Sequence, residues 1–261
     1  MGGFYAPQKN YEDNMTKELT PEELTHNWGN LRQIIDATFT EERLEKLNEM
    51  YDYFEERMMF APASGKEHFH NAHAGGYVEH VIHVMEASLQ IKKLWEKTGA
   101  TINFTDEELI FAAIHHDLGK VGDLAEDYYV PNDSDWHRKN QGLVYKHNGN
   151  LQFMTVTDRA LFLLQHFGVK MTENEYIGLM LTDGMYEEAN KSYYVGYGAD
   201  RSLKTNIAYI LHQADMMSTH IEADFWKRGD WDKKEVKKEE VKVKTQQSKA
   251  ANQAFKELFG E

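Results

Sequence analysis

The sequence predicts an all-α protein, a bundle of helices with one small β-hairpin. Through most of the 261 residues, apolar side chains recur at intervals of three and four, the spacing of one helix face. Three Thr-x-x-Glu capping boxes, beginning at Thr20, Thr105 and Thr172, mark helix starts. Proline, which interrupts helices, occurs only 4 times.

The first helix is predicted after Thr20, where Pro21 suits a first turn. A second begins at Thr40 and ends before Pro62. Its inward stripe consists of Leu44, Leu47, Met50, Tyr51, Phe54 and Met58. The next begins near Gly75-Gly76 and places His80 beside an apolar face. The helix that begins near Gly75-Gly76 therefore follows a segment rich in histidine.

Thr105 caps a helix whose apolar run, 109–114, indicates burial on most sides. Another helix contains 160–164, and Arg159 lies near its start. A further one follows Thr172. The last is long, carries Asp215 on its flank and has its apolar stripe at Leu203, Ile207, Ile210, Ala214, Met217 and Ile221.

One stretch favours strands. Segments 143–145 and 151–153 flank Asn148-Gly149, a dipeptide typical of tight hairpin turns. We expect a small β-hairpin near residues 143–153.

We expect one structural domain, since no linker separates two cores. Residues 1–64 form a helical extension packed on the core, 65–222 form the core itself, and 223–261 form a charged helix or tail. In that last part, Lys233–Lys244 alternates Lys with Glu and Val, as solvated segments do.

Composition excludes several classes of function. The 29 basic against 43 acidic residues give a net charge of -14, which disfavours tight nucleic-acid binding and anionic membrane surfaces. The absence of cysteine excludes disulfides, thiolate catalysis and iron-sulfur clusters. Without a signal-peptide pattern or an apolar run of about 20 residues, a cytoplasmic protein is expected. A homo-oligomer remains open.

Three predicted helices each bring metal-ligand side chains to their inner side. These are His80 on the first, His116 and Asp117 on the second, and Asp215 on the third. A buried carboxylate is costly unless a cation compensates it, and converging helices build metal sites in all-α folds. The set suits Mn, Fe, Co, Ni, Mg or Zn. The simpler alternative is an ion pair between Asp117 and Lys120.

Five histidines lie within sixteen residues: His68, His70, His73, His80 and His83. For His68 and His70, the favoured interpretation is an exposed loop without function. His80 differs, because a ring beside an apolar stripe needs a partner once it is buried.

The chain resembles the HD-domain metal-dependent phosphohydrolases. The resemblance covers about 65–222 and depends on Gly-Gly-Tyr-Val-Glu-His at 75–80, Ile-His-His-Asp-Leu-Gly-Lys at 114–120 and Ala-Asp at 214–215. It implies a helical bundle around a metal held by the four ligands named above. The hairpin and 133–145 resemble phage-encoded and bacterial members.

The chain departs from two-metal members of that superfamily, which supply further histidines before the last motif. Here Asp183 stands where such a histidine is expected, and 154–157 lacks one. We therefore expect one divalent ion.

The resemblance implies a phosphohydrolase that cleaves phosphoester or phosphoanhydride bonds of a small nucleotide-like substrate through metal-activated water. Asp117 would also orient the water, and Lys120 would neutralise charge on the phosphate. His73 is a candidate for phosphate contact or general acid work. Candidate substrate-binding residues beyond Lys120 are Arg159, Trp136, Arg138 and Tyr145.

Three other functions compete. The same bundle could serve as a nucleotide or metal sensor without turnover, although all four ligands are present. The histidines could be structural in an interaction protein. An iron-dependent oxygenase is a more distant alternative, which the missing second-site histidines disfavour.

Overall fold

The computed structural model describes residues 18–67, 69–196, 198 and 200–228. Within them the helices are α1 Pro21–Thr38, α2 Glu41–Tyr53, α3 Glu55–Phe60, α4 Gly76–Lys97, α5 Asp106–His115, α6 Asp135–Gln141, α7 Val156–His166, α8 Glu173–Met180, α9 Lys191–Tyr194 and α10 Ile207–Arg228. The strands are β1 Tyr129–Pro131 and β2 Tyr145–His147, and short 3-10 turns span Leu118–Val121, Gly184–Tyr186 and Glu188–Asn190. The predicted all-α class with a small hairpin is confirmed.

The three capping boxes form as predicted. At Thr20, Thr105 and Thr172 the hydroxyl accepts a hydrogen bond from the backbone N–H three residues later. The Glu at that position accepts one from the Thr backbone N–H in return. Helices α1, α5 and α8 therefore begin where sequence indicates.

The single helix predicted from Thr40 is in fact two helices. Helix α2 ends at Tyr53 and α3 begins at Glu55, with Phe54 outside helical geometry between them. Phe54 is fully buried and its ring lies 5.7 Å from that of Phe167. The break thus brings the Phe54 ring into the core.

Helix α4 lies at the centre of the bundle, packed against α5 and α10. Helix α8 packs on α5, while α7 packs on Leu118–Val121. One continuous hydrophobic cluster joins residues of α1, α2 and α3 to those of α4, α5 and α10. This arrangement brings the helices that carry the predicted ligands together.

The hairpin pairs different strands from those predicted. Strand β2 pairs antiparallel with β1, so that Tyr129 lies opposite His147, and α6 lies in the connection between them. Asn148 does not turn the chain into a strand at 151–153. Its backbone N–H bonds to the Tyr128 carbonyl and its side chain to the Asp127 carbonyl, which closes the ladder instead.

The charged segment 233–244 lies outside the described residues. Within the described ranges, we find no helix with the length and apolar character needed to span a bilayer.

Candidate metal centre

The four predicted ligands meet at one place. His80 is on α4, His116 and Asp117 directly follow α5, and Asp215 is on α10. The side chains of His80, His116 and Asp117 are buried. Packing of α4 against both other helices brings the four side chains together.

The distances between ligand atoms suit a shared cation. The Nε2 atom of His80 lies 3.5 Å from Asp117 Oδ2 and 3.3 Å from Asp215 Oδ1. The Nε2 atom of His116 lies 3.5 and 3.7 Å from the same two oxygens. Two ligands at about 2.1 Å from one ion lie about 3.0 Å apart at right angles and about 3.4 Å apart in a tetrahedron. Three of the four, His80, His116 and Asp215, form a group that could hold a metal ion.

Hydrogen bonds orient both rings with Nε2 toward the centre. The Nδ1 of His80 lies 3.0 Å from Glu222 Oε2, and that of His116 lies 2.7 Å from the Ala113 carbonyl. Within the described chain, neither buried Nε2 atom has a hydrogen-bond partner. Metal-binding histidines in proteins show this arrangement, since an acceptor at one nitrogen orients the ring and leaves the other nitrogen to bind an ion that displaces its proton. The orphaned Nε2 atoms therefore fit a metal better than a closed polar core.

Charges in the cluster compensate one another. Burial alone would lower the pKa of His80, but Glu222 and Asp215 outweigh it and raise the pKa to about 10. Burial opposes ionisation of Asp215 too, yet His80 and His116 hold the pKa of that carboxyl well below its ordinary value. The carboxylates thus keep a proton on the His80 ring, and a metal ion can replace the positive charge of that proton.

Lys120 makes the ion pair that sequence offered as the simpler alternative. Its Nζ donates to Asp117 Oδ2 at 2.6 Å. Burial would lower the pKa of Lys120, but Asp117 and neighbouring groups raise it above its ordinary value, so the ammonium stays charged. The ion pair and the cluster coexist, because the same carboxylate oxygen faces both imidazoles.

The interpretation of His70 as an exposed loop residue is wrong. Both ring nitrogens are buried, and its ring centroid lies 4.7 Å from that of His80. With His80 and Asp117 it forms a second group that could hold a metal. Burial lowers the pKa of His70 to about 3, so the ring is neutral. His68 lies outside the described residues.

His73 lines a cavity beside the candidate metal centre. Its Nε2 is 3.3 Å from Glu79 Oε2. The cavity, of about 320 Å³, is also lined by His83 and Glu222, and none of the four predicted ligands is among its described lining residues. Glu222 also bonds His80, so this cavity adjoins the centre, and the catalytic role of His73 stays a prediction.

Arg159 is buried at the start of α7. Its Nη2 donates to the Gln152 carbonyl at 2.7 Å, and its guanidinium lies 6.0 Å from the centre of the Tyr128 ring. Its side chain therefore supports the loop and the aromatic ring rather than reaching into solvent.

The remaining predicted substrate residues lie on the segment formed by β1, α6 and β2, which we call the hairpin module. Trp136 on α6 is largely exposed, and Arg138 bonds to Asn132 and Asp135. Tyr145 on β2 is half-buried, and its backbone N–H bonds to the Gly65 carbonyl. The module thus contacts the loop that carries His70, without any of these three side chains bonding a predicted ligand.

Sequence reasoning missed Glu222, which bonds Nδ1 of both His80 and His83. The spacing was available, because Glu222 follows Asp215 by two helical turns and so shares its face of α10. Asp183 was noted only as a replaced histidine. Burial and the nearby Asp117 and Asp215 raise its pKa.

An aromatic group beside Lys120 was also missed. The rings of Tyr128, Tyr129 and His147 lie 4.8 to 5.3 Å from one another. Burial raises the pKa of Tyr129 to about 12, while the charge of Lys120 acts in the opposite direction. The pairing of β1 with β2 brings these three rings together, so the group cannot be predicted from sequence without that pairing.

Comparison with known proteins adds no relative. No protein-family model matches the chain, and neither a curated protein nor a solved structure matches it.

Proposed function

We propose that this protein is a metal-dependent phosphohydrolase that cleaves phosphoester or phosphoanhydride bonds of a small nucleotide-like substrate. The observation that carries the proposal is the convergence of His80, His116, Asp117 and Asp215 with both Nε2 atoms lacking a hydrogen-bond partner in the described chain. The motifs that resemble HD-domain phosphohydrolases contain the same four residues.

The ligand set is suited to one divalent ion, drawn from Mn, Fe, Co, Ni, Mg and Zn. When bound, such an ion lowers the pKa of a coordinated water and polarises a phosphoryl oxygen. Glu222 fixes the ring of His80 through Nδ1, which keeps Nε2 directed at the site.

Lys120 and Asp183 are two further ionisable side chains that assist the proposed reaction. The Lys120 ammonium, 2.6 Å from Asp117, offsets negative charge that develops on the phosphoryl oxygens. The side chain of Asp183 is exposed, but desolvation of its carboxyl and the nearby Asp117 and Asp215 raise its pKa, which favours a role as proton donor to the leaving oxygen. Both groups therefore act on negative charge that develops in the reaction, the ammonium through its own charge and the carboxylic acid by giving up its proton.

A nucleotide is the favoured substrate because aromatic rings border the charged residues. Tyr128, Tyr129 and His147 offer ring faces on which a base can stack. The net charge of -14 disfavours a polymer, yet it is screened beyond about 8 Å at physiological ionic strength and leaves room for a local phosphate site.

The test is metal analysis of the purified protein, then a screen of nucleotides with Mn²⁺, Co²⁺, Ni²⁺ and Mg²⁺ that identifies the phosphate species released. Asp117→Asn should lose both metal and hydrolysis while its helical circular dichroism persists. The matched control is Asp158→Asn, an exposed carboxylate on α7. Full activity in Asp117→Asn would overturn the proposal, and metal binding without turnover of any nucleotide would favour a sensor.

A further inference from the structure

His70 has no partner for either ring nitrogen. Both Nδ1 and Nε2 are buried, and neither has a hydrogen-bond partner in the described part of the chain. A buried polar group without a partner is unfavourable, because it loses its hydrogen bonds to water and gains none in return. At a loop position this loss calls for a compensating ligand.

The ring lies against the candidate metal centre. Its centroid is 4.7 Å from that of His80. One ligand atom each from His70, His80 and Asp117 lie within 4.8 Å of one another, and the same holds for His80, His116 and Asp215. The two triads share His80.

The loop between α3 and α4 is built to hold His70 in this position. The Ser64 hydroxyl donates to the His70 carbonyl at 2.8 Å, and the Ala63 N–H donates to the Asn71 carbonyl at 3.1 Å. Asn71 has a φ of 42°, in the left-handed region that non-glycine residues seldom adopt. Any Cβ at Gly76 would lie 2.0 Å from the Asn71 carbonyl oxygen. Strained backbone of this kind is typical of functional sites.

We propose that His70 is a further ligand of the same single ion, so that three imidazoles and two carboxylates surround it; this inference rests on the function proposed above. His80 offers only Nε2, because its Nδ1 bonds to Glu222. One nitrogen lone pair binds one ion, so two triads that share this nitrogen describe one site.

Lys120 argues against a second ion within the same cluster. Its buried ammonium lies 2.6 Å from Asp117 Oδ2, on the carboxylate that both triads require. With one divalent ion and this ammonium already at that carboxylate, a second divalent ion would meet the repulsion of two positive charges.

The donor set then predicts the metal. Three nitrogen and two oxygen ligands favour Mn, Fe, Co, Ni or Zn over Mg, which prefers oxygen donors. Five protein ligands also leave an octahedral ion one open position for water or a phosphoryl oxygen.

Cobalt titration of the full chain tests the proposal, because visible absorption of Co²⁺ depends on the number and kind of its ligands. We expect one Co²⁺ per chain in the wild type and in His70→Ala. The variant should show a changed visible spectrum and a Kd at least about tenfold weaker, since even residues that only support a ligand cost about 10- to 100-fold. The matched control is His166→Ala, an exposed histidine at the end of α7. Its spectrum should equal that of wild type.

X-ray absorption of the wild-type cobalt protein needs no variant and should give three imidazole ligands. Two imidazoles, or an unchanged spectrum and Kd in His70→Ala, would overturn the role of His70 and leave the proposed function standing. Two ions per chain would overturn the single shared site. A folded wild-type protein that binds no metal would overturn both the inference and the proposed function.

Discussion

Replacement of Glu222 by Gln tests whether the cluster is organised for a metal. The carboxylate is buried and accepts hydrogen bonds at 3.0 Å from His80 Nδ1 and at 2.7 Å from His83 Nδ1. Glutamine keeps the shape but loses the negative charge. The ring of His80 would then be less firmly held, and its Nε2 would be a weaker ligand for the metal.

The magnitude follows from the bond that is lost. A hydrogen bond to a charged group contributes about 1.5 to 3 kcal/mol. Loss of a carboxylate that supports a metal-binding histidine costs about 10- to 100-fold in affinity, or about 1.4 to 2.7 kcal/mol. The two figures agree, so we expect the Kd for Mn²⁺ to rise about 10- to 100-fold in Glu222→Gln.

Isothermal titration calorimetry with Mn²⁺ measures this change. Glu86→Gln is the matched control, because Glu86 is an exposed carboxylate on α4 that lines the same cavity as Glu222. It should leave the Kd unchanged. Equal affinity in Glu222→Gln and wild type, with folding intact, would refute the reasoning.

Three further predictions follow. Lys120→Gln should retain one metal per chain but lose about 100-fold or more in hydrolysis, measured as initial rates against Lys170→Gln, since a donor to developing charge is removed. Once a chelator has removed the metal, the free energy of unfolding should fall as pH rises from about 6.5 to about 10. The pKa of His80 is raised in the folded state, so the contribution of its protonated ring to stability is complete below the pKa of the unfolded chain. That contribution is lost as the folded ring deprotonates. Urea unfolding should show this fall in wild type and not in His80→Gln. Gly76→Ala should cost about 1 to 3 kcal/mol in urea unfolding because its Cβ meets the Asn71 carbonyl, whereas Gly29→Ala has open space and should not destabilise.

Local signals were sufficient for the helix starts. Each capping box depends on side chains three residues apart, so Thr20, Thr105 and Thr172 could be read directly. The break at Phe54 could not, because the apolar spacing continues through it and the Phe54 ring packs against Phe167, more than a hundred positions later, a contact that local spacing does not reveal.

The residues of the candidate site also differ in whether the sequence could predict them. His80 and Asp215 stand on helices, and His116 and Asp117 directly follow one, whose apolar faces point inward, so their meeting could be anticipated. His70 could not, since its direction depends on the left-handed backbone at Asn71 and on loop hydrogen bonds.

The hairpin shows how a strong local signal can mislead. The Asn148-Gly149 pair is typical of a tight turn, but Asn148 bonds to the segment just before β1. That segment is distant in sequence, and only the pairing of β1 with β2 makes it a neighbour.

Anomalous diffraction from crystals grown with Mn²⁺ tests the central claim most directly. Our account predicts one peak of Mn anomalous density, within about 2.3 Å of ligand atoms from His80, His116, Asp117 and Asp215. Absence of a peak at saturating Mn²⁺, or a peak that some of these four side chains do not reach, would contradict it.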